Sequence, residues 1–165
     1  MTVLAPARLR PLAPADRDRL EAITRATGLF GDDEIPVALE VFDAAVAGND
    51  DYTALGAVAG ETLAGWICWG PTPCTVGTYD LYWIAVDPAQ HNAGIGSRLL
   101  AAMERQLAGV ARLVVVETAG RAAYAPTRAF YERRGYTAAA RIPDFYATGD
   151  DQVVYTKAIT AVARP

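Results

Sequence analysis

The chain has 165 residues, 52% hydrophobic and 21% charged, with a formal net charge of −4 at pH 7. That length suits a single domain over residues 1–165, long enough to bury roughly two-thirds of its unfolded surface. An acidic balance argues against nucleic acid, whose phosphates call for clustered Lys and Arg. No apolar run approaches the ~20 residues of a membrane span, and no signal peptide opens the chain, so a cytoplasmic protein without membrane partners is expected.

In chain order, residues 7–12 read as a short strand, and Pro14, Ala15 and Asp16 open a first helix ending near Gly28. A second helix is expected over 33–47, with Ile35, Leu39, Phe42 and Val46 on one face, Asp32 as its N-cap and Gly48-Asn49 as its stop. Strands over 52–58 and 62–69 form a hairpin across Ala59-Gly60-Glu61. Cys68 and Cys74 flank a Gly-Pro-Thr-Pro turn with no His nearby, so they read as plain thiols, with neither a disulfide nor a metal. Residues 79–86 are apolar on both faces from Leu81 onward, the pattern of a central strand covered on both sides. After Asp87-Pro88, a helix over 95–107 buries Ile95, Leu99, Met103 and Leu107. A second central strand covers 113–116 and ends at Glu117-Thr118, and a helix over 126–133 is stopped by Gly135. Strands over 136–142 and 152–157 close the chain, joined by a loop carrying Asp144, Tyr146, Asp150 and Asp151. Hairpins at both ends around one βαβ unit give an α/β chain with a mixed sheet.

The richest stretch is the strand that hands over to a helix through Gly94-Ile95-Gly96. The first N–H groups of a helix lack partners and carry about half a positive charge. Glycines let a phosphate approach them without a Cβ in the way, so the segment reads as a socket for a diphosphate. A dinucleotide fold is one candidate, with Glu117 near the position of a ribose-binding acid. Two features count against it: Leu99 stands where the third glycine belongs, and residues 87–93 separate the strand from Gly94.

The run Val86-Asp87-Pro88-Ala89-Gln90-His91-Asn92-Ala93-Gly94-Ile95-Gly96-Ser97-Arg98 instead resembles the acetyl-CoA loop of the GNAT superfamily of N-acetyltransferases. Gly94 and Gly96 match its glycines, His91 stands at its Arg/Gln position, and Asn92-Ala93 replaces its usual Gly-Lys. A second block, Thr127-Arg128-Ala129-Phe130-Tyr131-Glu132-Arg133-Arg134-Gly135-Tyr136, resembles the Tyr-bearing helix of the same superfamily, with Tyr124 where an Asn is common. The resemblance implies a twisted, mostly antiparallel sheet of about six or seven strands with a splayed parallel pair and about four helices. It also implies acetyl-CoA as cosubstrate and an amine as acceptor.

Site residues follow from the same resemblance. Backbone groups of Ile84, Ala85 and Val86 would meet the pantetheine arm, and His91, Asn92, Ala93, Gly94, Ile95, Gly96, Ser97 and Arg98 would hold the phosphates, with Thr127 a further CoA contact. Tyr131 would protonate the leaving sulfur. Glu117 is the candidate base, with Asp80 or a chain of waters as competitors. Asp80, Tyr82 and Tyr146 would face the acceptor, with Asp144-Phe145-Tyr146 and Gly149-Asp150-Asp151 echoing the acceptor loop of N-terminal acetyltransferases. The acceptor is a small-molecule amine or a peptide N-terminus, and the protein a monomer or homodimer. A catalytically silent acyl-CoA-binding module is the alternative.

Overall fold

The computed structural model describes residues 7–91 and 93–160. The expectation placed on Asn92 lies outside the described residues. In chain order come β1 (Arg8–Pro11), a 3₁₀ turn (Pro14–Asp16), α1 (Arg17–Ala26), α2 (Glu34–Val46), β2 (Thr53–Ala59), β3 (Thr62–Pro71) and β4 (Thr78–Val86). A 3₁₀ turn (Pro88–Gln90), α3 (Ile95–Leu107), β5 (Leu113–Ala119), a 3₁₀ turn (Ala122–Tyr124), α4 (Ala125–Glu132), β6 (Thr137–Ala147) and β7 (Asp150–Ala158) follow. The seven strands hydrogen-bond in the order β1-β2-β3-β4-β5-β7-β6, with β4 and β5 parallel. This mixed sheet with four α-helices is the expected fold class. No helix among the described residues is long and apolar enough to cross a membrane.

The chain divides into two compact units, Met1–Gly70 with Tyr82–Gln106, and Pro71–Leu81 with Leu107–Pro165. In the first unit β3 is buried from Leu63 to Gly70, so both of its faces are covered. Leu20, Ile23, Ala38, Val41 and Phe42 of α1 and α2 pack with Trp66 and Cys68 of β3. The fully buried Trp66 indole donates to Thr24 Oγ1 at 3.0 Å, and that hydroxyl donates to the Leu20 carbonyl at 2.8 Å. A polar atom buried without such a partner would cost about 1–3 kcal/mol. On β3's other face Gly65 admits α3: an added Cβ there would stand 3.0 Å from Ile95 Cγ2 and 3.0 Å from the Ala85 carbonyl.

In the second unit Thr78–Leu81 of β4 pairs in parallel with Leu113–Val116 of β5, and β5 pairs with β7 along its whole length. Val114, Val116, Tyr131, Tyr136, Val153 and Tyr155 are buried there.

Four local expectations change. Asp32 does not cap α2; Asp33 holds that position without a side-chain bond, and the Asp32 carboxylate pairs with Arg25 at 3.0 Å. The Gly31 N–H takes the Glu34 carboxylate instead, at 2.7 Å. The second central strand continues through Glu117 to Ala119, because β7 extends its pairing. Tyr146 lies within β6 rather than in a loop, since β6 and β7 close at Ala147↔Asp150. β4 is not covered on both sides throughout, as Tyr82 is 39% exposed.

Candidate functional site

Two groups of the expected residues can be placed, one in each unit. In the first unit, Asp87 ends β4 and its carboxylate accepts the Ala89 N–H at 2.9 Å, capping the 3₁₀ turn. The chain then steps down by short turns, from His91 N–H to Pro88 O and from Ala93 N–H to Gln90 O, to Gly94 at φ 70°. An added Cβ at Gly94 would meet nothing within 4 Å, so open space lies over this loop. The Arg98 N–H bonds to the Gly94 carbonyl and starts α3, leaving the N–H groups of Ile95 and Gly96 in its first turn without intrahelical acceptors. The side chain of Ile95 is core, 2% exposed, so only its main chain can face a ligand. His91, Ala93 and Gly94 are exposed, and Gly96, Ser97 and Arg98 half-buried. The Arg98 guanidinium has no partner among the described residues. A diphosphate fits these donors and that opening.

Ahead of this loop, Ile84 and Val86 are half-buried and Ala85 buried. The β4–β5 pairing ends at Leu81↔Val116, so Ile84–Val86 lie beyond the parallel ladder. Tyr82 meets Tyr52 edge-on at 5.5 Å, while Trp83 stacks on Trp66 at 6.0 Å and tilts against Phe30 at 4.9 Å.

The second unit holds the candidate acid and the candidate carboxylates. The Tyr131 ring is 2% exposed, wedged among Phe130, Tyr136 and Tyr155 with centroids at 5.3, 5.5 and 6.2 Å. Burial, with the neighbouring Tyr124 as a smaller cause, raises its pKa above the ordinary 10.0. Its hydroxyl has no hydrogen-bond partner among the described residues. Thr127, one turn before it on α4, is half-buried.

Strand alternation places the rest. Tyr155 sits opposite Val116 and therefore shares its face, which is the face that receives Tyr131. Glu117, one residue on, points the other way, is exposed, and has no ion pair or side-chain hydrogen bond among the described residues. Asp80 pairs with Val115 and so lies on Glu117's face, its carboxylate accepting Thr72 Oγ1–H at 2.7 Å. This unit thus carries a buried phenol on one side of its sheet and two carboxylates on the other.

Tyr146 is 47% exposed and edge-on to Phe145 at 4.9 Å. The acidic residues around it are structural. Asp150 pairs with Arg121 at 2.9 Å, and Asp151 pairs with Arg141 at 2.6 Å while accepting the Asp144 N–H at 3.0 Å. That N–H first, then Arg141, lowers the Asp151 pKa. The sequence reading missed Thr72, and also Tyr155 and Glu132, whose side chains hydrogen-bond at 2.8 Å beside Tyr131. Thr72 and Tyr155 belong to no motif, and Glu132 fills a position of the Tyr131 block that the resemblance leaves unspecified, so spacing alone held no signal for them.

Comparison with known proteins now bears on this geometry. A model of the acetyltransferase (GNAT) family matches residues 18–136. A GNAT-family protein from Desulfovibrio desulfuricans shares 38% identity at a TM-score of 0.88, over 93% of this chain and 99% of its own. An aminoglycoside 6'-N-acetyltransferase complexed with coenzyme A shares the fold at 20% identity and TM-score 0.74, over 96% of this chain and 99% of its own. The ribosomal-protein-S18-alanine N-acetyltransferase of Escherichia coli does so at 18% identity and TM-score 0.72, over 96% and 97%. No curated protein matches the chain by sequence.

Proposed function

Since this chain belongs to the acetyltransferase (GNAT) family, whose cosubstrate is acetyl-CoA, we propose that it moves an acetyl group directly to a primary amine, with Tyr131 as the proton donor. Acetyl-CoA supplies an activated thioester; the chain's own residues bind, orient and move protons. The glycine turn and the first turn of α3 hold the diphosphate through main-chain N–H groups, with His91, Ser97 and Arg98 beside them and Thr127 as a further contact. The backbone of Ile84–Val86 takes the pantetheine amides and polarises the thioester carbonyl. Glu117 removes a proton from the acceptor ammonium, with Asp80 and Tyr82 placing the amine and Tyr146 flanking it.

The observation that carries this reading is Tyr131, whose ring is buried while its hydroxyl has no hydrogen-bond partner among the described residues and is not sealed from solvent. An acid must keep its proton until the thiolate departs, and burial keeps it. The opposed faces of Tyr131 and Glu117 support donor and acceptor approaching the sheet from opposite sides. All 165 residues act as one acetyltransferase domain, in the cytoplasm, as a monomer or homodimer.

The test is free-thiol release from acetyl-CoA with panels of peptides, amino acids, polyamines and aminoglycosides. One acceptor class should stimulate release, and Tyr131→Phe should lower kcat by about 100-fold or more. Release unchanged in Tyr131→Phe would remove it as the acid. Silence across every panel, with CoA still protecting the protein from heat, would point to a binding module.

A further inference from the structure

The base of the diphosphate loop is tied to a helix that no motif connects with it. One Asp87 carboxylate oxygen caps the loop at the Ala89 N–H, and the other pairs with the Arg19 guanidinium of α1. The same guanidinium donates through Nε to the Leu63 carbonyl of β3 at 3.1 Å, so its planar fork joins α1, β3 and the end of β4. The Asp87 N–H closes the arrangement by donating to the Ala64 carbonyl at 2.8 Å. Every later turn hangs from this point, since Gln90 N–H bonds to Asp87 O at 2.8 Å before the steps that reach Gly94.

We propose that Arg19 is a positioning residue for acetyl-CoA: through Asp87 it sets the direction in which the chain leaves β4. That direction aims the α3 N–H groups at the diphosphate. The inference rests on the reading that the loop before α3 holds that diphosphate. The Arg19 and Asp87 side chains are 39% and 15% exposed. With its arginine more than a third exposed, the pair's share of global stability is discounted by solvent screening, while donors of a binding site must be held within about 0.5 Å. Its effect therefore falls on the loop. Arg17 supplies the contrast on the same helix, pairing with Asp43 of α2 at 2.9 Å and reaching no part of the loop.

Calorimetric titration of the full chain with CoA tests this. Arg19→Gln and Asp87→Asn should each weaken CoA by about tenfold, and the double variant by no more, because both break one link. Arg19→Lys should fall between, and Arg17→Gln should bind like the wild type, with unfolding temperatures of the CoA-free Arg19→Gln and Arg17→Gln proteins shifted alike. Once an acceptor is known, the KM for acetyl-CoA should rise in Arg19→Gln at unchanged kcat. Wild-type affinity in Arg19→Gln, equal weakening in Arg17→Gln, or additive losses in the double variant would each overturn the inference. Gly94→Asp separates the two readings by placing a carboxylate in the loop. CoA binding that survives it sinks the loop reading and this inference together; binding lost there but intact in Arg19→Gln sinks only the inference.

Discussion

As the proposed acid, Tyr131 would be both packing and reagent. Its ring fills space among three other aromatic rings, and its hydroxyl stays without a partner among the described residues. Burial raises its pKa, and Tyr155 beside it is pushed up to about 12, first by burial and then by its hydrogen bond to Glu132. The sign follows directly. A folded-state pKa above the unfolded value of about 10 leaves stability whole below pH 10 and erodes it as pH rises through the folded value. Each group then contributes a slope of up to about 1.4 kcal/mol per pH unit. Urea midpoints followed from pH 9 to 12 should therefore fall less steeply in Tyr131→Phe than in the wild type. Equal slopes would mean that the phenol is not buried. Below pH 10, the alkaline side of a kcat profile should show no loss of proton donor if Tyr131 is that donor. The helix that carries Tyr131 was legible through its motif. Its neighbours Tyr155 and Glu132 were not, because β7 reaches α4 only by folding back across the sheet.

At the scale of elements, the α3 N-terminus is aimed by what lies beneath it. Gly65 of β3 lets Ile95 and Leu99 sit close, and a Cβ there would stand 3.0 Å from both the Ala85 carbonyl and Ile95 Cγ2. Backbone on one side cannot yield, so α3 must lift. Gly65→Ala should cost about 1–3 kcal/mol as an overpacked core and weaken CoA, read by thermal unfolding and calorimetry on one sample. An unfolding loss with unchanged CoA affinity would show that α3 tilts without moving its first turn. The helix itself was plain from Ile95, Leu99, Met103 and Leu107, all of them buried. Its seat was not, because Gly65 sits in a run of small and apolar residues where a strand glycine carries no mark of what packs on it. The acidic hairpin shows the reverse: Asp150 and Asp151 echo the acceptor loop of N-terminal acetyltransferases, yet their carboxylates are held by Arg121 and Arg141.

At the scale of the molecule, two compact units share elements. β4 gives Thr78–Leu81 to one and Tyr82–Val86 to the other, and α3 likewise runs from one into the other. Melting either unit must break elements that belong to both, so we expect one cooperative transition. The three tryptophans, Trp66, Trp69 and Trp83, all lie in the first unit. Their fluorescence reports that unit alone, whereas far-UV circular dichroism reports both. Coincident urea transitions by the two probes would support one domain. A fluorescence midpoint displaced from the dichroism midpoint would show units that unfold separately.

Hydrophobic period and glycine placement, both local, determined the order of elements, the glycine turn ahead of α3 and the helix that carries Tyr131. These features need only a few consecutive residues to express them, and Gly94 takes its φ of 70° within such a span. Long-range pairing decided the rest. That Tyr131 and Glu117 fall on opposite sides of a sheet depends on β7 lying in register with β5. That Asp80 is held by Thr72, and Asp87 by Arg19, depends on side chains brought together by folding. A sequence states which residues can pair; the contacts that select among those pairs exist only once the strands and helices have closed on one another.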